Sequence, residues 1–467
     1  VYLRTGRHPA VDGLPARIQR RTFDEIYQTA ERFDEVYQQI AAEVIRIGSE
    51  EDILYAVPGN PFVGETTVAA ILQGAADADI PVRIIPGISF VEPALAAVGL
   101  DALDGLQLFD GIEIAALLYP PINPEVALLL GQVYSRMVAS ELKLSLMSIY
   151  PAEHKVALIH SAGQVNELVE WSHLYEIDRS GHIDHLTSLY IPPLPLKAGL
   201  PALAETVAIL RSPGGCPWDQ EQTPQSMRAG FLEEAYEVID ALDAEDVDNL
   251  REELGDLLYH IVMQTQMAAE AGDFTLTDVI AGIEAKLKRR HPHVWGDWQV
   301  SGSADVLRNW EIIKRMEKGG PAADEFVSKL SGIPSSLPTL MRAQKIQSRA
   351  AKTGFDWPDI SGVYDKLHEE LDELREATTA EELRSELGDV LFVITNLAQW
   401  LGVEAEIALR ETNARFSKRF QLVEKFVIDR GLQWGELSLV EMDALWEEAK
   451  ATFAKPDVAD KVDDESA

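Results

Sequence analysis

The chain has 467 residues, enough for about three domains of ordinary size, and carries 77 Asp and Glu against 41 Lys and Arg, a formal charge of −36. Such an excess of acid argues against a protein that coats a nucleic acid polymer or lies on an anionic membrane, so any phosphate it takes must meet a local basic patch or a metal. Cys216 is the only cysteine, which excludes an intrachain disulfide and points to a reducing compartment, the cytoplasm by default.

The N-terminal VYLRTGRHP lacks an apolar signal core, and the apolar stretch from Ile112 to Leu130 is interrupted by Pro120, Pro121 and Pro124, so no membrane span is predicted. The sequence starts without Met and soon enters a helical pattern, so we expect an N-terminal piece to precede it. Residues 1–195 alternate short apolar runs (Ile53–Val57, Val82–Ile85, Val156–Ser161) with helical patterns such as Phe33–Ile47 and Glu65–Ala78. That alternation predicts an α/β domain. Turn chemistry follows two of the runs, at Pro58, Gly59, Asn60 and Pro61 and at Pro86, Gly87, Ile88 and Ser89. Open α/β sheets bind ligands in such loops, although Pro-Gly is also simply a turn.

Pro192-Pro193-Leu194-Pro195 is a stiff linker candidate, and beyond it the strand signal fades. Helices are predicted over 201–212, 224–243, 246–271, 278–291 and 304–318, with starts at Thr223-Pro224, Thr277 and Ser303 and stops at Gly272, Pro292 and Gly319. Gly319-Gly320-Pro321 and the residues to about 335 read as a second linker. The plan then repeats, with helices over 338–353, 362–377, 379–401, 404–430 and 440–452, a tandem duplication of an all-α unit. The expected organisation is thus multidomain: an α/β domain over 1–195, two all-α domains over 196–325 and 333–453, and a disordered charged tail over 456–467.

The duplicated unit carries a repeated acidic pattern. Glu234 and Glu237 are three apart on one helix, Glu253 and Asp256 three apart on the next, and Glu370 with Glu373 and Glu386 with Asp389 repeat the spacing. Residues three apart share a helical face, so two facing helices present four carboxylates in each copy. A run of Glu is usually a solvated face. Here Leu232, Ala235, Tyr236 and Ile239, and Leu254, Leu257, Leu258 and Ile261, form apolar stripes beside the acids, which predicts acids at the edge of a helix–helix interface. Crowded carboxylates need a cation, and hard divalent ions such as Mg²⁺, or Mn²⁺, take oxygen ligands and share positions with phosphate. His291 and His293 lack further partners for zinc and read as a helix terminus and a turn.

Cations follow the acids in each copy. Lys286 and Arg290 are four apart, as are Arg415 and Arg419, and Trp310 with Lys314 and Trp446 with Lys450 form a Trp-x-x-x-Lys pattern. A basic face suits a metal-bound polyphosphate and an aromatic ring can stack on a base, while pairing with surplus surface acids is the alternative.

Two resemblances rest on these residues. TFDEIY, YAVPGNPFVGETTV, IIPGISFVEPALAAVGL and GQVYSRMVASELKLSLMSIYP resemble the tetrapyrrole (corrin/porphyrin) methylase family over most of residues 1–195. The resemblance implies two α/β subdomains with S-adenosylmethionine in the cleft between them, lined by Pro58–Pro61, Pro86–Ser89 and Gly131–Val133. SPGGCPWDQEQTPQSM, FLEEAYEVIDAL, LREELGDLLYHIV, KLKRRHPHVWGD and NWEIIK, then AAKTGFDWPD, HEELDELREA, ELGDVLFVITNLAQWLG, NARFSKRF and LWEEAK, resemble two tandem MazG domains over residues 200–452.

The MazG resemblance implies a Mg²⁺-dependent nucleoside triphosphate pyrophosphohydrolase that releases a nucleoside monophosphate and diphosphate, clearing non-canonical or excess nucleotides, and a homodimer through the helical domains. It implies metal ligands at Glu234, Glu237, Glu253 and Asp256 and at Glu370, Glu373, Glu386 and Asp389. It further implies phosphate-binding cations at Lys366, Arg415, Arg419 and Lys450, with Lys345 a weaker candidate. A metal-bound water is the expected nucleophile, and on chemical grounds a remaining acid, Glu233 or Glu369, is expected to orient or deprotonate it. Lys286, Arg290, Trp310, Lys314 and Trp446 complete the nucleotide-binding set, and Gly230 occupies in the first copy the position of Lys366. The runner-up readings are a S-adenosylmethionine-dependent methylase, or a cofactor-binding sensor on a helical dimerisation scaffold.

Overall fold

The structure, a computed structural model, describes residues 1–8, 11–29, 33–317 and 328–453. It divides into two compact units, Val1–Arg289 and Arg290–Ala467. The first unit opens with a small parallel sheet in the order β2-β1-β3, made of β1 (Tyr2–Leu3), β2 (Arg21–Thr22) and β3 (Tyr55–Ala56). Helices α1 (Asp24–Thr29), α2 (Phe33–Gly48) and α3 (Thr66–Asp77) accompany it. Val36, Ile40, Val44 and Ile47 recur at helical spacing on α2 and bury against Tyr2 and Phe23.

After α4 (Val91–Val98) comes a five-stranded sheet in the order β4-β5-β8-β6-β7, from β4 (Leu106–Asp110), β5 (Ala127–Gly131), β6 (Lys155–His160), β7 (Leu168–His173) and β8 (Thr187–Ile191). Helix α5 (Gly111–Ala115) follows β4, and α6 (Arg136–Leu146) follows β5. Only β4 and β5 pair in parallel; β8 runs antiparallel to β5 and β6, and β7 antiparallel to β6. β5 reads ALLLG and is buried throughout, as a strand covered on both faces requires. Its Leu128 and Leu130 join Val138, Leu142 and Leu146 of α6 on one face, while Ala127 and Leu129 pack with Ala94 of α4 on the other.

The expected α/β domain is therefore present, with one correction. Val82–Ile85 forms no strand. A β-favouring run becomes a strand only where a neighbour pairs with its backbone; β3 pairs with β1 alone, and Val82 and Ile85 stay exposed. Pro192–Pro195 is tied down: the Leu194 amide donates to Pro124 O at 2.8 Å, and Pro192 O bonds His154 Nε2 at 2.8 Å.

From there the chain is helical. The first unit continues with α7 (Leu200–Arg211), α8 (Pro217–Glu221), α9 (Arg228–Asp243), α10 (Val247–Ala271) and α11 (Leu276–Arg290), around Val207, Met227, Val262, Met263 and Met267. Asp246 caps α10 by accepting from the Asn249 amide, and Gly272, at φ 77°, ends it in the left-handed region that glycine tolerates. The start predicted at Thr223-Pro224 moves to Arg228, because Thr223 and Ser226 exchange side-chain to backbone hydrogen bonds in a turn.

The second unit holds α12 (Pro292–Trp295), α13 (Ser303–Glu317), α14 (Thr339–Ala351), α15 (Ile360–Glu376), α16 (Ala380–Trp400), α17 (Ala405–Asp429) and α18 (Leu439–Phe453). Thr379 and Glu382 form a capping box that starts α16. Buried Gln344 and Gln347 pin α14 to its neighbours, through Val403 O and the Ala405 amide and through Phe392 O and Thr395. The expected linker at Gly319-Gly320-Pro321 and the tail over 456–467 lie outside the described residues. Among the described residues no single helix is long and apolar enough to cross a membrane; α16 and α17 pass such a test only together, bent by 102°.

Candidate functional site

In the first copy α9 and α10 pack on each other, and Glu234, Glu253 and Asp256 each place a carboxylate oxygen within 4.8 Å of the others. Glu237 stands against Glu234 and Glu253, outside that group. In the second copy α15 and α16 bring Glu370, Glu373 and Glu386 within 4.8 Å of one another, and Asp389 is the acid left at the edge. Each expected quartet thus yields three converging carboxylates, with a different member outside.

The crowding has an electrostatic signature. Glu234 is held above the usual carboxylate range, first by burial and then by Glu237, Asp256 and Glu253. Glu253 is raised by burial, then by Glu237 and Asp256, and Glu386 by burial, then by Glu373, Asp389 and Glu370. Carboxylates that raise one another in this way suit a hard or borderline cation, which would relieve the repulsion. The donor set therefore fits a divalent metal in both copies.

The groups beside the acids differ. Lys366 Nζ lies 2.8 Å from Glu370 Oε1 and 2.8 Å from Glu369 Oε1, and these hydrogen bonds, Glu369 first, raise its pKa. In the first copy Gly230 leaves room for a ring: an added Cβ would stand 2.9 Å from Cε1 of His260. His260 is buried, its Nε2 is 3.9 Å from Glu234 Oε1, and burial lowers its pKa. Sequence reasoning missed His260. Aligning the two copies would have found it, four residues after Asp256 where Val393 stands four after Asp389.

The acids lie where α9 packs on α10 and α15 on α16, but among the described residues part of each apolar stripe stands uncovered: Leu232 is 54% exposed and Leu254 49%, and Leu387 of the second copy is 50% exposed. Hydrophobic periodicity marks a face to be covered without saying what covers it.

The predicted cations and aromatics fall into distinct settings. On α17, Arg415 donates to Thr412 Oγ1 at 2.8 Å, and Arg419 lies one turn on. On α18, Lys450 pairs with Glu447, and the Trp446 ring lies tilted against Phe416, their centroids 4.9 Å apart. Phe416, Phe420, Trp434 and Trp446 line a cleft of about 500 Å³, of which only Trp446 was anticipated. Lys345 is exposed on α14, and Glu233 is exposed on α9. Lys286 lies in the first unit, whereas Arg290, Trp310 and Lys314 lie in the second. There Arg290 pairs with Glu317 at 2.6 Å, and Lys314 sits 4.0 Å over the Trp310 ring.

The expected cofactor loops touch. Asn60 Nδ2 donates to Gly87 O at 3.1 Å, and Gly59, at φ 77°, is so close that a Cβ on Gly87 would meet Gly59 O at 2.5 Å. Phe90 lies against Gly131, where a Cβ would stand 2.8 Å from the ring, and Gln132 donates to Asp110 at 2.7 Å. Ser89 donates to Glu92 at the start of α4, and Ile88 is exposed.

Comparison with known proteins accounts for both halves. The MazG nucleotide pyrophosphohydrolase domain matches residues 222–295 and 361–426, and the tetrapyrrole (corrin/porphyrin) methylases match residues 3–178. A nucleoside triphosphate pyrophosphohydrolase of Escherichia coli (strain K12) is 48% identical over 247 residues, covering 52% of this chain and 93% of that one. The chain belongs to the MazG family. It carries two MazG domains behind a tetrapyrrole methylase domain, as both resemblances implied. A MazG nucleoside triphosphate pyrophosphohydrolase/pyrophosphatase of Thermotoga maritima is 44% identical over 241 residues, covering 52% of this chain and 91% of that protein. The full architecture recurs in an uncharacterized protein, YabN, of Bacillus subtilis (strain 168), 38% identical over 461 residues, or 97% of this chain and 93% of the relative. Both acidic groups of this MazG protein fall inside the matched segments, whereas Trp310, Lys314, Trp446 and Lys450 fall outside them.

Proposed function

We propose that the MazG domains hydrolyse a nucleoside triphosphate between its α and β phosphates, giving a nucleoside monophosphate and diphosphate, with Mg²⁺ or Mn²⁺ on the acids. The observation that carries the reading is the convergence of three carboxylates in each copy, within 4.8 Å of one another. A bound divalent ion supplies charge neutralisation and Lewis-acid polarisation of the phosphoryl group. The chain's own residues do the rest. Glu234, Glu237, Glu253 and Asp256, and Glu370, Glu373, Glu386 and Asp389, hold the ion. Lys366, Arg415, Arg419 and Lys450 bind and orient the phosphates and stabilise the charge that develops on the departing diphosphate. Glu369, or Glu233 in the first copy, orients the attacking water and takes its proton. Trp446 stacks on the base, and Lys286 is a cation of the first copy. The relatives' names as nucleoside triphosphate pyrophosphohydrolases support the substrate class.

Incubation with a panel of nucleoside triphosphates and Mg²⁺, with the products identified, tests the reading. Monophosphate and diphosphate are expected; orthophosphate with nucleoside diphosphate, or no turnover, overturns it. The uncovered stripes around Leu232, Leu254 and Leu387 support a homodimer through the helical domains. Sedimentation should then find a dimer that Leu254→Glu and Leu387→Glu weaken.

For the N-terminal domain, the contact of the Pro58–Pro61 and Pro86–Ser89 loops favours S-adenosylmethionine between them. Labelled cofactor should bind, and Gly87→Val should abolish binding. A domain that binds none is only a structural appendage.

A further inference from the structure

We propose that Asp443 selects the base in the second MazG copy, by accepting from a nucleobase edge that presents two adjacent N–H donors, the edge of guanine. The inference rests on that copy hydrolysing a nucleoside triphosphate, as proposed above.

The cleft beside α17 and α18 has the walls a base requires. Phe416 and Phe420 lie one turn apart on α17, their rings 6.1 Å apart and nearly parallel, at 7°. Phe420 stacks at 5.5 Å on Trp434, in the turn between the two helices, and Trp446 of α18 lies tilted against Phe416. Phe416 is 56% exposed, so these rings line an open cleft, and its volume of about 500 Å³ is that of a small-molecule site. Aromatic faces left in water forgo much of the gain of burial, which a flat ring stacked on them restores. Arg415 and Arg419 each precede one of the two Phe residues, about 100° round the same helix, so the expected phosphate-binding face adjoins the aromatic one.

Asp443 is the one charged residue among those that line the cleft. Helix α18 carries four acids. Glu441 accepts from the Ser438 amide at the start of the helix, Glu447 pairs with Lys450 and Glu448 with Arg430. Asp443, three residues before Trp446 and so on the same face, has no hydrogen bond or ion pair among the described residues. Holding the fold together thus accounts for three of these acids and leaves Asp443 facing the cleft.

A carboxylate offers only acceptors. Guanine sets N1–H beside its N2 amino group, two donors for the two oxygens. Adenine and cytosine set an amino group beside a ring nitrogen whose lone pair opposes the carboxylate, uracil and thymine flank one N–H with carbonyl oxygens, and hypoxanthine keeps N1–H without the amino group. Aligned on its Trp310, the first copy has Leu307 where the second has Asp443, so this selection is confined to the second copy.

The test uses the full chain carrying Glu253→Gln and Asp256→Asn, so that turnover reports the second copy, with Mg²⁺ and the triphosphates of guanosine, inosine, adenosine and xanthosine. kcat/KM for guanosine triphosphate should exceed that for the other three about tenfold, with most of the difference in KM. Asp443→Asn offers one acceptor and one donor, which match the N1–H and C2 carbonyl of xanthine. It should lower kcat/KM for guanosine triphosphate about tenfold and raise that for xanthosine triphosphate by about as much, a gain that a misfolded variant cannot show. Equal kcat/KM for the four substrates, a guanosine preference that survives Asp443→Asn, or its loss without the gain on xanthosine triphosphate overturns the role of Asp443 and leaves the hydrolysis standing. A chain that turns over none of the four overturns the hydrolysis and this inference together.

Discussion

The two MazG copies share a backbone plan and four acids, yet differ in what faces those acids. In the second, Lys366 bonds to Glu369 and Glu370 at the mouth of the cluster, and α17 and α18 of the same unit carry Arg415, Arg419, Trp446 and Lys450. In the first, Gly230 and His260 replace the ammonium, and the predicted cations are partly engaged elsewhere, Arg290 with Glu317 and Lys314 on Trp310. The four acids are thus present in both copies while the groups beside them differ. On the proposed reading of the acids as metal ligands and Lys366, Arg415 and Arg419 as phosphate-binding cations, turnover should be unequal between the copies.

The largest effect should come from silencing the copies separately. Glu386→Gln with Asp389→Asn is expected to lower hydrolysis of a nucleoside triphosphate by about a hundredfold or more, and Glu253→Gln with Asp256→Asn by less than about tenfold. Steady-state rates with Mg²⁺ give both numbers. Equal losses would mean that the difference at Lys366 has no catalytic weight. Lys366→Met sharpens the comparison: it should reduce kcat/KM by about tenfold to a hundredfold while leaving metal affinity unchanged or tighter, because the ammonium neutralises Glu370.

Much of this contrast was legible before any coordinates. The three-residue acid spacing, the duplication and the helix stop at Gly272 are local signals, and they place α9, α10, α15 and α16 nearly where the structure has them. What escaped was set by tertiary partners. Val82–Ile85 has strand composition but nothing to pair with, and β5 and β8 owe their central places to burial on both faces. His260 lies outside the acid pattern, and its place beside Glu234 follows from the space at Gly230 on another helix. The apolar stripes were read correctly as apolar, but periodicity carries no information on whether the covering surface belongs to the same chain.

A smaller effect is expected of each copy without metal. Glu253 is raised above its ordinary value by burial and by Glu237 and Asp256. The folded state therefore holds its proton more tightly than the unfolded chain does. The metal-free fold accordingly loses stability as pH rises through the carboxylate range, the reverse of a salt-bridged acid. Glu253→Gln should raise the metal-free Tm at neutral pH by about 1–3 °C and abolish the further rise that Mn²⁺ gives the first copy. Glu386→Gln should do the same for the second copy with Mg²⁺. A metal-free Tm that falls in these variants would show that the acids are not in conflict.

The smallest difference concerns how each copy fastens its first helix. In the first, Arg211 on α7 grips Glu270 on α10 through three hydrogen bonds of 2.9, 3.1 and 2.7 Å, which hold the Glu270 carboxyl below its usual range. In the second, α14 is fastened by Gln344 and Gln347, which do not titrate. A depressed carboxylate contributes stability that is present above its unfolded value and is lost as pH falls through its folded value. Between about pH 5 and pH 3, amide exchange over residues 200–211 should accelerate relative to residues 339–351, by about twofold to fivefold because Glu270 is partly exposed. Arg211→Leu should bring α7 to its low-pH exchange rate at neutral pH and flatten the dependence. Parallel pH dependence of the two helices would mean that the ion pair does no more for α7 than neutral hydrogen bonds do for α14, and that the copies differ only at their acids.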